Sequence, residues 1–312
     1  MNAFIFPGQG SQHVGMGRDF LKAYPDVFEE LFAEANEALG FDLKEICLYG
    51  PTETLTSTEI AQPAIVTLNV GIYRLLQHEN ITPTYVAGHS VGQFAALVAA
   101  GVFTFSDTIK IVHQRGKRMM AVTKKGTMLA VVCSRQEQLQ EVIAEAMNHR
   151  IDVAGYNSPQ QVVFSGEMTE IDALQAQLAV MTGVRAKRIN VSQGFHSRLM
   201  EEMELDFMRD VQQFPMQDAS IPVVLNCSAL ETKNKTAILE DIRLQCTYPV
   251  LWEQTISHLC ERGVYHFIEV GTSRTLTGFM RAFERPQIKT YAMESAMKVK
   301  KYIRTYQKSY QR

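Results

Sequence analysis

The chain has 312 residues, of which 46% are hydrophobic and 21% charged, as expected for a globular protein with a large domain and a smaller one. Its formal net charge of −2 gives no reason to expect nucleic acid or a membrane surface as a partner, and no apolar run approaches the roughly 20 residues that span a bilayer. The N-terminus lacks the basic start and long apolar stretch of a secretion signal, so we expect a cytoplasmic protein. The five cysteines form no Cys-x-x-Cys pair, which predicts reduced, buried thiols and no metal site.

The first part of the chain alternates between short apolar runs and helical patterns. Residues 3–6 predict a buried strand, which ends at a glycine-rich turn over residues 8–12. Helical spacing predicts a helix over residues 24–39, and a second one that starts at Gln62-Pro63, because proline suits a first helical turn, and ends near Gln77. A strand over 85–87, a sharp turn over 88–92 and a helix over 93–100 follow.

The pattern changes between residues 126 and 192. Strands are predicted over 128–132, 152–155, 161–165 and 186–191, and helices over 137–147 and 169–181. The order βαββαβ is that of a ferredoxin-like unit. Strand candidates over 221–226 and 266–270 then resume the larger domain. We therefore predict an α/β fold with an α/β-hydrolase-like large domain (1–125 and 193–297), an inserted ferredoxin-like small subdomain (126–192) and a basic tail (298–312).

The turn over residues 88–92 has the sequence Gly-His-Ser-Val-Gly. Two glycines around a serine, placed between a strand and a helix, predict a nucleophile elbow that exposes the oxygen of Ser90. The backbone N–H of Val91 then points to where an oxyanion would form. A serine needs a nearby base, and the chain offers eight histidines. Sequence spacing favours His196, in a turn-like segment after the inserted unit, but leaves the other histidines open.

Several motifs resemble those of the malonyl-CoA:acyl carrier protein transacylases, including the free-standing acyltransferases that serve polyketide synthases. The resemblance covers roughly residues 1–285, in the order of the family. Its motifs are Phe6-Pro-Gly-Gln-Gly-Ser-Gln12, Gln62-Pro63-Ala64, Gly88-His-Ser-Val-Gly92, Arg115-Gly-Lys117, Asn157-Ser-Pro159, Phe195-His196-Ser197 and Glu269-Val-Gly271.

The resemblance implies an acyltransferase that moves a malonyl group from coenzyme A to the phosphopantetheine thiol of an acyl carrier protein, by a ping-pong mechanism through an ester of Ser90. It implies that His196 is the general base. The backbone N–H groups of Gln9 and Val91 would form the oxyanion hole. No cofactor is implied, because the coenzyme A thioester is itself a substrate.

The resemblance also implies which residues bind the substrate. Arg115 would pair with the free carboxylate of the malonyl group, since a planar guanidinium offers a carboxylate two charge-assisted hydrogen bonds. Phe195 resembles the residue found in enzymes that take unbranched malonyl groups. Gln245 would support His196 through its main-chain carbonyl, and we group it with Asn157 among the substrate-binding residues.

Three departures from the family pattern keep alternatives open. Gln93 replaces a glutamate that many relatives have, Thr272-Ser273 replaces a Pro-Gly pair, and the tail lies outside the resemblance. One alternative is a hydrolase that clears stalled acyl carrier proteins. Others are transfer of a modified malonyl unit, transfer from another carrier protein, or a catalytically dead docking protein. After Glu294 the tail has six basic residues and no acidic one, so we expect a solvated terminal helix or a frayed end that contributes, at most, to docking an acidic carrier protein.

Overall fold

The computed structural model describes residues 1–191 and 193–310 and folds them around two β-sheets. The strands are β1 (Asn2–Phe6), β2 (Tyr85–Gly88), β3 (Thr127–Cys133), β4 (Ile151–Ser158), β5 (Gln161–Gly166), β6 (Val184–Ile189), β7 (Val223–Val224), β8 (Glu231–Thr232), β9 (Val250–Leu251), β10 (His266–Glu269) and β11 (Lys289–Ala292). The α-helices are α1 (Arg18–Ala23), α2 (Pro25–Leu39), α3 (Leu43–Tyr49), α4 (Thr52–Thr56), α5 (Thr58–His78), α6 (Gly92–Ala99), α7 (Phe105–Ala121), α8 (Gln136–Ala146), α9 (Met168–Leu178), α10 (Glu201–Val211), α11 (Lys235–Leu244), α12 (Trp252–Glu261), α13 (Thr275–Phe279) and α14 (Ala296–Tyr310). None of the helices in this part of the chain is both long and apolar enough to cross a membrane.

The first sheet has the strand order β11-β10-β1-β2-β7-β8, and its neighbours are parallel except for β7 and β8. Residues 3–6 of the central strand β1 are fully buried. Because helices cover both faces of a parallel sheet, its strands have continuous apolar sequences, and the predicted α/β class is confirmed. The carboxyl ends of β1, β2 and β7 share one edge, which is where ligands bind in such sheets.

The second sheet has the strand order β6-β3-β5-β4-β9. Strands β3 to β6, with α8 and α9, form what we call the inserted unit (residues 127–189), and its strands pair antiparallel around a core of their own. The rest of the chain is the large unit. Strand β9 of the large unit pairs parallel with β4, so hydrogen bonds join the two units. Strand β6 ends two residues before the predicted end, and β7 is shorter than predicted because the chain turns after Val224.

Helix α5 begins at Thr58 and continues through Pro63, so the prediction that it starts at Gln62-Pro63 was wrong. A proline inside a helix has no N–H to donate to the carbonyl four residues earlier, which here belongs to Glu59. The Nδ1 of His113, on α7, lies 2.9 Å from this carbonyl oxygen and provides the missing donor. A contact from another helix therefore lets α5 continue, and no local sequence pattern encodes such a contact.

The basic tail forms helix α14, which begins at Ala296 and not at the predicted boundary of 298. One face of this helix packs on the large unit through the buried side chains of Val299 and Ile303. Of the two expected forms, the described residues show the terminal helix and not the frayed end, and one face of this helix is docked and not solvated. Its basic residues are exposed: Lys298, Lys300, Lys301, Arg304 and Lys308. Gln311 and Arg312 lie outside the described residues.

Candidate active site

The sharp turn between β2 and α6 places Ser90 at the carboxyl edge of the first sheet. The φ of Ser90 is 52°, in the left-handed region that non-glycine residues adopt at a cost and that is common at functional turns. A Cβ on Gly88 would lie only 2.1 Å from the carbonyl carbon of Gly92, so the turn requires glycine there. The turn has the strand-to-helix geometry of a nucleophile elbow.

Ser90 and His196 lie within hydrogen-bond distance, although 106 residues separate them in sequence. The hydroxyl of Ser90 donates to Nε2 of His196, with 2.7 Å between the two atoms. On the other side of the ring, Nδ1 of His196 donates to the main-chain carbonyl of Gln245 at 2.7 Å. This second bond fixes the tautomer that leaves Nε2 free to accept a proton, so a carbonyl takes the place of the aspartate in a serine–histidine–aspartate triad.

The environment of His196 keeps its ring neutral. The side chain is buried, and burial together with the positive charge of Arg115 lowers its pKa to about 3. At neutral pH the imidazole is therefore available as a proton acceptor.

Arg115 lies beside this pair and is almost completely buried. Its Nη1 donates to Oε1 of Gln62 at 2.9 Å, and its Nη2 donates to Oε1 of Gln245 at 3.0 Å and to Oγ of Ser90 at 3.3 Å. Burial lowers the pKa of Arg115 to about 10, so the guanidinium remains charged at neutral pH. Across residues 1–191 and 193–310 no carboxylate pairs with it, and its Nε has no hydrogen-bond partner. A buried, unpaired cation of this kind favours binding of an anion.

Close contact between two helices brings Arg115 into the site. Gly116, the next residue on α7, faces the backbone of α5, where an added Cβ would lie 2.4 Å from the Cα of Glu59. Only glycine allows this approach. The guanidinium carbon of Arg115 also lies over the ring of Phe94, 5.8 Å from the ring centroid.

The turn after β1 lies next to the elbow and carries Gln9. In the described residues, the backbone N–H groups of Gln9 and Val91 have no hydrogen-bond partner. Gln9 lines the same cavity as Ser90, and its side-chain amide is held by Oγ1 of Thr58 at 3.3 Å. Two unpaired N–H groups beside a serine hydroxyl are what an oxyanion hole requires.

Ser90, Arg115 and His196 line a cavity of about 760 Å³ between the large unit and the inserted unit. Phe195 also lines it, next to His196. This volume is in the usual range for sites that bind small molecules and cofactor-sized ligands.

The structure places the remaining predicted residues differently. Asn157 lines the cavity, but its Oδ1 accepts from Nε2 of His89 at 2.8 Å and its Nδ2 donates to Gln161 at 3.1 Å. Gln245 does not line the cavity; it lies behind His196 and Arg115 and contacts both. Its position matches the predicted support of the histidine. Its grouping with the substrate-binding residues stays a prediction, because the cavity does not reach it.

Gln93 does not face the cavity either. It is fully buried, its Nε2 donates to Oδ2 of Asp241 at 2.8 Å, and its Oε1 accepts from Gln245 at 3.2 Å. The replacement of glutamate by Gln93, noted above as a departure, leaves a carboxylate nearby, because the buried side chain of Asp241 is in direct contact with it. Water in the cavity has no access to Gln93.

Sequence reasoning missed two residues of this site. Asn226 accepts from the backbone N–H of Ser90 at 2.8 Å and donates to the carbonyl of Gly88 at 2.7 Å, so it holds both sides of the elbow. It ends a predicted strand at the edge where ligands bind, and that position was a usable signal. Asp241 lies on the apolar face of α11, three residues after Ile238, and an acid on such a face was a second signal.

Comparison with known proteins gives consistent results. Residues 3–311 match a family model described as "Acyl transferase domain". A polyketide biosynthesis malonyl CoA-acyl carrier protein transacylase, BaeC of Bacillus velezensis, is 37% identical over 284 residues, which are 90% of this chain and 96% of that protein. The malonyl CoA-acyl carrier protein transacylase of Coxiella burnetii has a TM-score of 0.90 at 30% identity, over 97% of this chain and 96% of that one.

A further solved structure is that of a malonyl-transacylase in complex with a type II PKS acyl-carrier protein. It has a TM-score of 0.90 at 31% identity and covers 97% of this chain and 99% of that chain. The family match extends to residue 311, so the prediction that the resemblance ends near residue 285 and excludes the tail was wrong. Helix α14 is part of the family domain because its apolar face completes the core of the large unit.

Proposed function

Because the chain belongs to the acyl transferase domain family and is an acyltransferase, we propose that it transfers a malonyl group from coenzyme A to the phosphopantetheine thiol of an acyl carrier protein. The observation that carries this proposal is the buried guanidinium of Arg115, which lies 3.3 Å from the Ser90 hydroxyl and has no acidic partner in the described residues. The names of the relatives, which include an acyl carrier protein complex, support the same reaction.

The first half of the proposed ping-pong reaction loads the enzyme. His196 takes the proton of the Ser90 hydroxyl at Nε2, and Oγ attacks the thioester carbonyl. The backbone N–H groups of Gln9 and Val91 stabilise the oxyanion. When the carbon–sulfur bond breaks, the coenzyme A sulfur takes the proton from His196, and the malonyl group remains as an ester of Ser90.

The second half reverses these steps with a different thiol. The phosphopantetheine thiol of the carrier protein gives its proton to His196 and attacks the ester carbonyl. The Ser90 oxygen leaves and regains its proton from Nε2. The reaction needs no cofactor, because a serine, an imidazole and two amides carry every step. Since coenzyme A thioesters are made inside cells, the proposal includes a cytoplasmic location.

Selection of the acyl group is proposed to depend on two side chains in the cavity. Arg115 would bind the malonyl carboxylate, which stabilises a dicarboxylic acyl chain relative to acetyl. Phe195 would occupy the space that an α-methyl group needs, which favours unbranched malonyl. Asn157 is held by hydrogen bonds to His89 and Gln161, and it would line the part of the cavity that receives the arm of the thioester substrate.

The proposal extends to the domain organisation. The order β6-β3-β5-β4 with antiparallel pairing supports a ferredoxin-like subdomain, for which the sequence gives residues 126–192. The parallel sheet with a serine elbow after β2 supports an α/β-hydrolase-like core over residues 1–125 and 193–297. The active site would then lie between the two.

Hydrolysis of stalled acyl carrier proteins is the alternative that shares the same serine chemistry. The departure at Gln93 left this alternative open, but this side chain is buried behind the site and does not line the cavity. No observation now favours it over transfer.

Mass spectrometry of the intact protein after incubation with malonyl-, methylmalonyl- and acetyl-CoA tests the proposal. We expect rapid gain of a malonyl group on Ser90, followed by its loss when a phosphopantetheinylated carrier protein is added, with the group recovered on the carrier. Release of free malonate at the same rate without a carrier would instead indicate a hydrolase.

A further inference from the structure

Asp241 is a buried carboxylate that lies one layer behind the active site. Its side chain is only 3% exposed. Oδ2 accepts from Nε2 of Gln93 at 2.8 Å and from the backbone N–H of Asn226 at 3.1 Å, and Oδ1 accepts from the backbone N–H of Cys227 at 2.8 Å. Within residues 1–191 and 193–310 no lysine, arginine or histidine forms an ion pair with it. A buried charge without a counterion is costly, and here only hydrogen-bond donors stabilise it.

The carboxylate determines the orientation of a chain of amides. An ionised carboxylate only accepts hydrogen bonds, so Gln93 must turn its Nε2 towards Asp241. Its Oε1 then faces the other way and accepts from Nε2 of Gln245 at 3.2 Å. This in turn leaves Oε1 of Gln245 directed at Arg115, from which it accepts a hydrogen bond at 3.0 Å. One chain of donors and acceptors therefore runs from Asp241 to the guanidinium. Nε2 of Gln245 also donates to the main-chain carbonyl of Ser90 at 3.3 Å, which supports the same orientation.

A second branch runs from Asp241 to the nucleophile. Asp241 accepts from the main chain of Asn226, and the side chain of Asn226 bonds to the backbone of Ser90 and of Gly88 on the two sides of the elbow. The same carboxylate thus contacts both Asn226, which holds the elbow, and Gln93, which bonds to Gln245 behind Arg115. None of these bonds crosses the cavity, and Asp241 does not line it.

We propose that Asp241 is a positioning residue for acyl transfer, which sets the amide orientation of Gln93 and Gln245 and so presents an acceptor oxygen to Arg115. The proposal rests on the proposed function, since it concerns the same site. If Gln93 turned over, Nε2 of Gln245 would keep only the main-chain carbonyl of Ser90, at 3.3 Å, as an acceptor and would face an NH₂ group of Gln93. The amide of Gln245 would then be held less firmly in the orientation that presents Oε1 to Arg115. Arg115 would then no longer be held in the position proposed to bind a malonyl carboxylate. Transfer of an acyl group without a carboxylate, such as acetyl, would continue.

The first test uses Asp241→Asn, which keeps the shape of the side chain but places an NH₂ group against donors. Because a hydrogen bond to a charged group is lost, we expect the rate of malonyl loading of Ser90 to fall by about 10-fold or more. Acetyl loading should change much less, so the malonyl-to-acetyl ratio should fall. A purely structural residue would lower both rates together. Glu240→Gln, an exposed neighbour on the same helix, is the matched control and should leave both rates unchanged.

The second test restores the donor and acceptor order between positions 241, 93 and 245 with the partners exchanged, while the backbone N–H of Asn226 still lacks its acceptor. In the double variant Gln93→Glu with Asp241→Asn, the carboxylate at 93 accepts from Asn at 241 and from Nε2 of Gln245. We expect this variant to recover most of the malonyl loading and of the malonyl-to-acetyl ratio that Asp241→Asn loses. Such recovery is a coupling between two sites, which a double-mutant cycle measures.

Two results would overturn the proposal: a malonyl-to-acetyl ratio unchanged in Asp241→Asn, or no recovery in a folded double variant. If Asp241→Asn does not fold, Gln93→Met cuts the link to Gln245 while Asp241 keeps both backbone bonds. It should show the same loss of malonyl preference, and an unchanged ratio there would also contradict the proposal. The unaltered chain separates this from the proposed function: if it forms no malonyl-Ser90 at all, the proposed function itself fails.

Discussion

The guanidinium of Arg115 donates a hydrogen bond to the hydroxyl of Ser90, with 3.3 Å between Nη2 and Oγ. The group proposed to select the acyl chain and the group proposed to attack it are therefore in contact before any substrate binds. Burial and, after it, the same positive charge lower the pKa of His196. The proposed acyl selection and the proposed proton transfer would thus be coupled by electrostatics in this site.

Replacement of the proposed nucleophile should abolish loading. Ser90→Ala removes only an oxygen at the elbow, so the protein should fold and its thermal unfolding should be nearly unchanged. We expect no acyl-enzyme with any coenzyme A thioester. His196→Ala should slow loading by roughly 10²-fold or more, through loss of the general base. Peptide mapping checks the site, and a malonyl group found on another residue of the Ser90 variant would contradict the assignment.

Removal of the guanidinium should lower malonyl transfer without lowering acetyl transfer. Loss of one partner of a shielded charge pair costs roughly 2–5 kcal/mol, so Arg115→Ala should lower kcat/KM for malonyl-CoA by about 10- to 10³-fold. Acetyl-CoA has no carboxylate to leave unpaired, so its transfer should hold steady or improve. Arg115→Lys should rescue malonyl transfer only in part, because an ammonium group cannot form the two-pronged contact. The malonyl-to-acetyl ratio of the three proteins, measured side by side, decides the matter.

The pH profile of acyl loading should lack the titration step of an unperturbed histidine. The base must be neutral, and it is neutral above its pKa, which is lowered to about 3, whereas a free histidine titrates near 6.5. We expect kcat/KM for acetyl-CoA to stay flat from about pH 5 to about pH 8. In Arg115→Ala the neighbouring cation is gone, so the pKa of His196 should rise and the acid limb should move to higher pH. An acid limb centred near 6.5 in the unaltered chain would contradict this reading.

A smaller side chain at position 195 should admit branched acyl groups. Phe195 lines the cavity beside His196 and is 6% exposed. Phe195→Ala should raise the methylmalonyl-to-malonyl ratio of kcat/KM by about 10-fold, the usual effect of one methyl group in a fitted pocket. Phe94→Leu, which alters a ring under Arg115 that does not line the cavity, is the control and should leave this ratio in place. An unchanged ratio in Phe195→Ala would show that another wall excludes the methyl group.

The exposed face of α14 should contribute to carrier protein binding, if that partner is acidic. Deletion from Lys298 onward, the simplest test, would also remove the buried Val299 and Ile303 and destabilise the protein. Lys301→Glu with Arg304→Glu keeps that apolar face. We expect a higher KM for carrier protein, an unchanged KM for malonyl-CoA, and a difference that shrinks as salt is added. If the KM for carrier protein is the same as in an exposed-lysine control, Lys235→Glu, then α14 is a structural helix only.

The sequence predicted the parts of this protein that local patterns encode. The serine elbow at 88–92 and the βαββαβ order follow from glycine placement and strand periodicity. His196 could be chosen among the histidines only through family resemblance, because 106 residues separate it from Ser90. The contact between Gln93 and Asp241 spans 148 residues, and no local pattern announces it. The start of α5 was misplaced for the same reason, because the donor that replaces the missing N–H of Pro63 belongs to His113 on α7.

The pairing of β9 with β4 has a mechanical consequence. Residues 250–251 form backbone hydrogen bonds with the inserted unit, and the N–H of Leu251 also donates to the carbonyl of Asn226 at 2.8 Å. A hinge motion that swung the inserted unit away would have to break this ladder within a few residues of Gln245, whose carbonyl orients the base. The pairing therefore opposes a swing of the inserted unit about residues 250–251, and it ties the position of that unit to the segment that carries the support of His196.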